Sequence, residues 1–290
     1  MSATNDTSGT APGSGLTRRQ RYDQRQRRRS IAIAAFSTVI AAAALIALVP
    51  LLPGWDGVRE SFFDGEVLAD SLPDLVRAFV LDLKILAWST PAVLTLSLLV
   101  ALARGARSPV LFPLRAVAIA FIDVFRGIPT ILVITLIGFG VPAALDLHRP
   151  WNGPVLWGSV ALTLSYSAYV AEIIRSGIDG VHESQRAAAR SIGMTAGQTM
   201  RSVVLPQAFR SIVPPMMNSF VSLQKDVALI SILGPVEVLR RAEIQQSRLF
   251  NFTPYVGAAI IFLACTIPLT RLADSLLARQ RRRTGGTVIA

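Results

Sequence analysis

The chain has 290 residues, 52% of them hydrophobic and 16% charged, and its mean hydropathy is positive. That balance excludes a soluble one- or two-domain enzyme and fits a protein crossing a membrane several times. The net charge of +11 is almost all arginine, because Lys84 and Lys225 are the only lysines; the arginines gather in tails and in loops beside apolar runs, which fits membrane topology rather than nucleic-acid binding.

In chain order, residues 1–30 read as a disordered basic cytoplasmic tail, Ser/Thr/Gly/Pro-rich to Gly15 and then carrying seven arginines over 18–29. The 22 apolar residues at 31–52 are long enough to span, and they exceed the h-region of a cleaved signal peptide. An acidic loop follows at 53–83, with seven carboxylates against Arg59 and Arg77, as expected outside the cell. Its later part, residues 72–83, reads as a helix lying on the outer surface. Residues 84–103 form the second span and return to Arg104 and Arg107 inside.

Residues 110–125 are apolar but only 16 long and contain Pro113, Arg115 and Asp123, whereas 128–145 makes a better span. Parity decides between them. The loop at 175–210 holds Arg175, Arg186, Arg190, Arg201 and Arg210 against Asp179 and Glu183, so it belongs inside. Only one crossing is therefore expected here, with 110–125 interfacial or part of one long tilted helix. Spans at 155–174, 213–233 and 255–277 complete six transmembrane helices. Both termini then lie in the cytoplasm, the last (residues 281–290) as a basic tail.

Cys265 is the sole cysteine, which rules out an internal disulfide and a cysteine-cluster metal site. His148 and His182 stand far apart without carboxylates at ligand spacing, so no metal site is expected. Neither lysine follows a Gly-rich turn with a Ser/Thr, so no P-loop exists. No nucleophile–base or paired-carboxylate motif stands out either, and catalysis and resident cofactors are not expected.

The longest polar, basic interruption of the second half is the loop 181–206, within which residues 184–206 are the most regular. Ser184 reads as an N-cap, Ala187, Ala188 and Ala189 favour a helix, and Gly193 breaks it. A second short helix is expected from about Thr195 to Val204, with Pro206 in the first turn of the next. The three alanines leave a bare surface that another protein could approach closely. An ordinary amphipathic surface loop is the plainer reading of the same residues.

Charged groups inside the bilayer point to a wet interior or a partner. Glu172 and Arg175, at i and i+3, share a helical face and can pair. A structural ion pair closing the cytoplasmic side and a substrate or gating role both remain open. Lys225 and Asp226 are adjacent and diverge on a helix, so each needs a partner elsewhere. Asn218 reads as a helix–helix hydrogen bond or a path residue. Pro214 and Pro215 predict a kink or opening. Arg240, Arg241 and Arg248, mixed with Glu237 and Glu243 in the outer loop 234–254, mark either a solvated amphipathic helix or a protein-docking surface.

Five short segments in order carry a resemblance. Ala187-Ala188-Ala189, three residues, Gly193, nine residues and then Val203-x-Leu205-Pro206 resembles the cytoplasmic EAA loop of ABC-importer permeases. The family's Glu falls on Ala187, which leaves the Ser184 half of a capping box without its carboxylate. Phe125-Arg126-Gly127-Ile128-Pro129, Ala168-Tyr169-Val170-Ala171-Glu172, Leu205-Pro206-Gln207-Ala208 and Leu223-Gln224-Lys225-Asp226-Val227-Ala228-Leu229 are similar to motifs of the polar amino acid uptake branch. Val227 and Ala228 replace that branch's Thr and Ser. The likeness covers roughly 85–280, leaving the first span outside it.

The resemblance implies an all-α integral membrane protein whose core of five helices, within residues 84–280, has the type I ABC importer permease fold. It implies a subunit of an ATP-driven, binding-protein-dependent importer, probable substrate class a polar amino acid, in a bacterial inner membrane. ATP would be bound by separate ATPase subunits gripping Ala187, Ala188, Ala189, Gly193, Leu205 and Pro206. A second permease chain and an extracytoplasmic binding protein would complete the assembly, with membrane lipid around it and no nucleic acid. Tyr169, Glu172, Arg175, Asn218, Lys225 and Asp226 would line or gate the path. The competing classes are a non-transporting scaffold or receptor and a secondary transporter; neither accounts for both the intramembrane charges and the loop at 184–206.

Overall fold

The computed structural model describes residues 18–106 and 108–283, and every regular element in them is helical. The chain divides into two compact units, Met1–Arg59 and Glu60–Ala290. The first contains α1, Arg18–Leu48, and a 3-10 turn Val49–Leu51. The arginines of 18–29 therefore stand on the same helix as the apolar run, not in a separate disordered tail; what was expected of residues 1–17 and 284–290 lies outside the described residues. Ile33, Phe36, Val39 and Ile46 are all exposed along α1, as suits a helix whose solvent is lipid. The short helix α2, Trp55–Phe62, leads into the second unit.

That unit opens with α3, Gly65–Gly105, whose 41 residues correspond to about 60 Å. It is twice the length a bilayer core needs, so the helix must project beyond the membrane. This corrects the separate surface helix expected over 72–83: that segment is the first half of one helix. The reason is visible in the buried positions 71, 75, 78, 82, 85, 89, 93, 97 and 100, which recur every three or four residues and keep one face inward throughout. Asp64 caps the start, its carboxylate accepting from Glu66 N at 2.9 Å and Val67 N at 3.1 Å.

Helices α4, Phe112–Gly127, and α5, Thr130–Ala144, meet at a bend of 110°. A single long tilted helix over 110–145 is thereby excluded. Pro129 causes the break, since it disfavours helical geometry at Ile128, whose backbone is extended. Helix α6, Pro154–Asp179, is the hub and packs against α3, α4, α5 and α9. Gly158, Ser159, Ala161, Ser165, Ser167, Ala168 and Ala171 are all buried there, and such small side chains let neighbouring backbones approach.

A cytoplasmic-type hairpin follows: α7, Glu183–Ser191, then α8, Ala196–Thr199, a π-helical turn Met200–Val204, and α9, Leu205–Asp226. The kink expected at Pro214-Pro215 is absent as a break, because the ring fixes φ near the helical value even while it removes two donors. The change comes later, where Val227–Leu233 tightens to a 3-10 helix and ends at Gly234 with φ +102°. Helices α10, Val238–Leu249, and α11, Thr253–Arg283, complete the unit.

Among the described residues three helices are long and apolar enough to cross a membrane, or five when each bent pair counts as one span. The fourth span expected, over 155–174, lies in α6, whose serines lower its hydropathy and whose neighbours, not lipid, surround it.

Candidate functional site

The lower end of α6 gathers charge. Glu172 accepts from Arg104 Nη1 of α3 at 2.9 Å and from Arg175 Nε, one turn on, at 3.1 Å. Arg126, at the end of α4, stands 4.0 Å away, and Arg175 also donates to Asp179 at 2.6 Å. The expected Glu172–Arg175 pair is therefore present, inside a knot that ties three helices together. Glu172 keeps only 17% of its side chain exposed, so these contacts are screened less than surface pairs. Three guanidiniums against two carboxylates leave this end of the bundle net positive.

Tyr169 joins the same cluster. Its hydroxyl donates to Arg126 O at 3.4 Å, and the Arg126 guanidinium lies 5.7 Å from its ring centroid, over the face. Beside them opens a cavity of about 770 Å³, lined by Arg126, Tyr169, Glu172, His182, Gln207 and Ser219 among others. Its lining mixes hydroxyl, amide and charged groups, which suits a polar solute in water. The sequence singles out neither Arg104 as a partner of Glu172 nor Asp179 as a second partner of Arg175. Arg104 reads there as a topology arginine, and 68 positions separate it from its partner.

Asp226 ends α9 and accepts from Tyr166 Oη at 2.8 Å, while its neighbour Lys225 is exposed. The divergence predicted for adjacent residues is thus observed. Asn218 is exposed and makes no hydrogen bond among the described residues, so the helix–helix bond expected of it is not formed within this chain. The residues expected to line the path thus fall in two groups, the Glu172 knot with Tyr169 and the Tyr166–Asp226 pair, with Asn218 in neither.

The loop 181–206 is rooted by a small core of Val181, Val204, Ala208 and Ile212. Ser184 is not the N-cap of α7. His182 takes that position, its Nδ1 accepting from Ser184 N at 3.2 Å, because α7 begins at Glu183, two residues earlier than a Ser184 cap implies. A complete capping box occurs on the next helix instead: Gln198 N donates to Thr195 Oγ1 at 3.3 Å and Thr195 N to Gln198 Oε1 at 2.8 Å. The second short helix, expected to run from Thr195 to Val204, continues through a π-turn directly into α9, so no break precedes Leu205 and Pro206.

Gly193 has φ +88°, and Met194 N donates to Ala189 O at 3.1 Å while Gly193 N donates to Arg190 O at 3.0 Å. These are the two bonds of a Schellman C-cap, which needs the left-handed residue glycine supplies. Ala189 turns inward, whereas Ala187 and Ala188 are exposed and Ile192 is 79% exposed. Leu205 and Phe209 add further exposed apolar surface near the base. A side-chain-poor helical turn flanked by bare apolar groups results.

An all-helical membrane bundle with a Gly-capped hairpin beside a polar vestibule defines the class as a transport subunit. The comparisons agree. Residues 68–285 match the family described as binding-protein-dependent transport system inner membrane component, and the chain belongs to that family. It is 33% identical over 214 residues to the probable amino-acid ABC transporter permease protein PatM of Vibrio harveyi, covering 72% of this chain and 93% of the relative. It is 31% identical to the arginine transport system permease protein ArtQ of Bacillus subtilis over 207 residues, covering 71% and 91%. Among solved structures, an amino acid ABC transporter crystallised with histidines matches with TM-score 0.68 at 32% identity, over 74% of this chain and 98% of that one. An inward-facing structure of the MetNI methionine ABC transporter matches with TM-score 0.56 at 18% identity, over 71% and 95%, a likeness of fold alone. The chain is thus a multi-pass inner-membrane permease of the ABC-importer kind, and the family implies ATPase and substrate-binding-protein partners.

Proposed function

We propose that this chain forms half of the translocation path of an ATP-driven importer for a polar amino acid. Two permease chains, identical or related, enclose the path, and a binding protein delivers substrate from outside. ATP is bound and hydrolysed by the partner ATPases, so the chain contributes no catalytic step. Both termini lie in the cytoplasm, as the arginine excess of residues 18–29 and 279–283 directs.

The observation that carries the reading is the position of the Gly193-capped hairpin, continuous with α9 and rooted beside the vestibule of Glu172. A push on Ala187 and Ala188 passes through α7 and the Val204–Ala208–Ile212 core to α6 and α9. The Glu172 knot closes the inner mouth until those helices move. Tyr169, Glu172 and Arg175 serve as the gate; Lys225, Asp226 and Asn218 line the path; Leu205 and Pro206 complete the coupling surface.

Reconstitution tests it. The chain, its copurifying ATPase and a binding protein are placed in liposomes and offered a panel of amino acids with and without ATP. Uptake of at least one, dependent on ATP and lost with Ala188→Glu together with the bound ATPase, is expected. Uptake that persists without nucleotide would overturn the proposal.

A further inference from the structure

Away from the vestibule, the start of α10 meets the middle of α3 in a fully enclosed contact. Leu75, Val238, Ala242 and Ala258 form its apolar part. Two carboxyl groups lie in the same seam. Glu237 has no exposed surface and Asp82 only 2%. Glu237 caps α10 with both oxygens, accepting from Leu239 N at 2.8 Å and Arg240 N at 2.7 Å. Asp82 Oδ2 accepts from Val238 N at 3.4 Å. Two acids thus share the three leading amide donors of one helix.

The two carboxyl groups converge on consecutive amides of one helix turn, Asp82 on Val238 N and Glu237 on Leu239 N and Arg240 N. Among the described residues no ion pair relieves them. The charged and titratable groups around the seam are engaged elsewhere or turned away: on α10, Arg240 pairs with Glu243 at 2.7 Å and Arg241 stands 3.9 Å from Asp74 of α3. Lys84 of α3 is exposed, α11 contributes only Tyr255, and the 3-10 turn Val227–Leu233 carries no charge. A helix N-terminus offers about half a positive charge, enough to favour one carboxylate but not two. Asp82 Oδ1 meanwhile has no partner at all, although it is buried.

Two ionised carboxylates can only accept, so side by side they repel and leave that oxygen bare. One proton removes both problems. Glu237 already accepts on both oxygens, which identifies it as the ionised member; the proton belongs on the bare oxygen of Asp82.

We propose that Asp82 and Glu237 form a binding site for one proton, carried by Asp82 and donated to Glu237, and that this proton latches the start of α10 to α3. The latch joins the helix that projects beyond the membrane to the segment that follows the 3-10 turn after Asp226. Stripping the proton places two like charges in a dry seam and drives α10 off α3. The inference does not depend on which solute is carried, or on whether the chain transports at all.

Infrared spectroscopy of the full chain in lipid nanodiscs at neutral pH tests it directly. Wild-type protein should show the carbonyl band of a buried protonated carboxylic acid, shifted in D2O. Asp82→Asn, which keeps a donor toward Glu237, should lose that band while keeping its thermal midpoint. Glu237→Gln should also lose it, because Asp82 then ionises beside an amide donor. The second variant keeps the test decisive if the first folds poorly. Absence of the band from wild type, or its persistence in either variant, would overturn the proposal.

Discussion

Arg104 of α3 and Glu172 of α6 lie 68 positions apart in the chain and meet at 2.9 Å. Around that contact Arg175 adds a second guanidinium, and Arg126 a third at 4.0 Å. Glu172 is therefore the single anion on which α3, α4 and α6 converge, and the vestibule opens directly beside it.

Replacing Glu172 by Gln leaves those guanidiniums facing one another without their common anion. Losing charge-assisted hydrogen bonds of this kind costs on the order of 2 kcal/mol. For a domain of this size that corresponds to a fall of about 4–8 °C in thermal midpoint. The variant should also hydrolyse ATP faster without substrate in the assembled transporter, since the inner mouth is no longer tied. Arg104→Met should act in the same direction but less strongly, because Arg175 remains on Glu172. An unchanged midpoint in the Gln variant would show the knot to be ornamental.

The Gly193 cap gives a graded test of coupling. No atom lies near a β-carbon built at this position, so the obstacle to a side chain is backbone geometry, not space. A β-branched residue at φ +88° is strained by about 1–2 kcal/mol, whereas Asn tolerates the left-handed region. Gly193→Val should insert normally yet lose roughly tenfold in ATP-dependent uptake, the equivalent of about 1.4 kcal/mol. Gly193→Asn should retain most of it. Equal uptake by the two variants would separate the turn from coupling.

How much of this was legible beforehand depended on whether a signal was local. The Gly193 turn and the Glu172–Arg175 pair are set by neighbours within a few residues and are legible in the sequence, whereas of the three alanines expected to be bare only Ala187 and Ala188 are, Ala189 being buried. The serine is not the cap, because His182 offers a competing one two residues earlier and the helix starts at Glu183. The surface helix over 72–83 was lost to a longer periodicity, since a window ending at the membrane boundary hides that positions 75, 78, 82 and 85 share one face. Arg104, Tyr166 and the Asp82–Glu237 contact pair residues from distant segments, and no spacing rule reaches across 60 or 68 positions.

Gly177 of α6 packs directly against Ile212 of α9. A β-carbon there would strike the Ile212 side chain, which belongs to the core rooting the loop. Gly177→Leu must push α9 outward, and overpacking of this kind costs about 1–3 kcal/mol. The expected result is a lower thermal midpoint together with weakened ATPase binding, although no residue of the docking surface has changed. Ile212→Ala should partly rescue it by making room. Failure of the second substitution to restore either property would mean the two helices do not transmit through this contact.

The segment before α11 is held by a separate clamp. Phe62 and Phe252 stack with centroids 4.9 Å apart and planes 10° from parallel. Phe252 N donates to Ser61 O at 2.6 Å, Asn251 Nδ2 to Glu60 O at 2.9 Å, and Asp64 N to Thr253 Oγ1 at 3.1 Å. Residues 60–64 precede the family match, which begins at residue 68. An aromatic pair of this kind contributes about 0.5–1.5 kcal/mol beyond its burial. Phe62→Ala and Phe252→Ala should each lower the thermal midpoint and expose residues 249–253 to limited proteolysis. The double variant should fall by less than the two single losses together, because the second substitution removes a partner already lost. Strict additivity would place the strength of the clamp in its three hydrogen bonds rather than in the stacked rings.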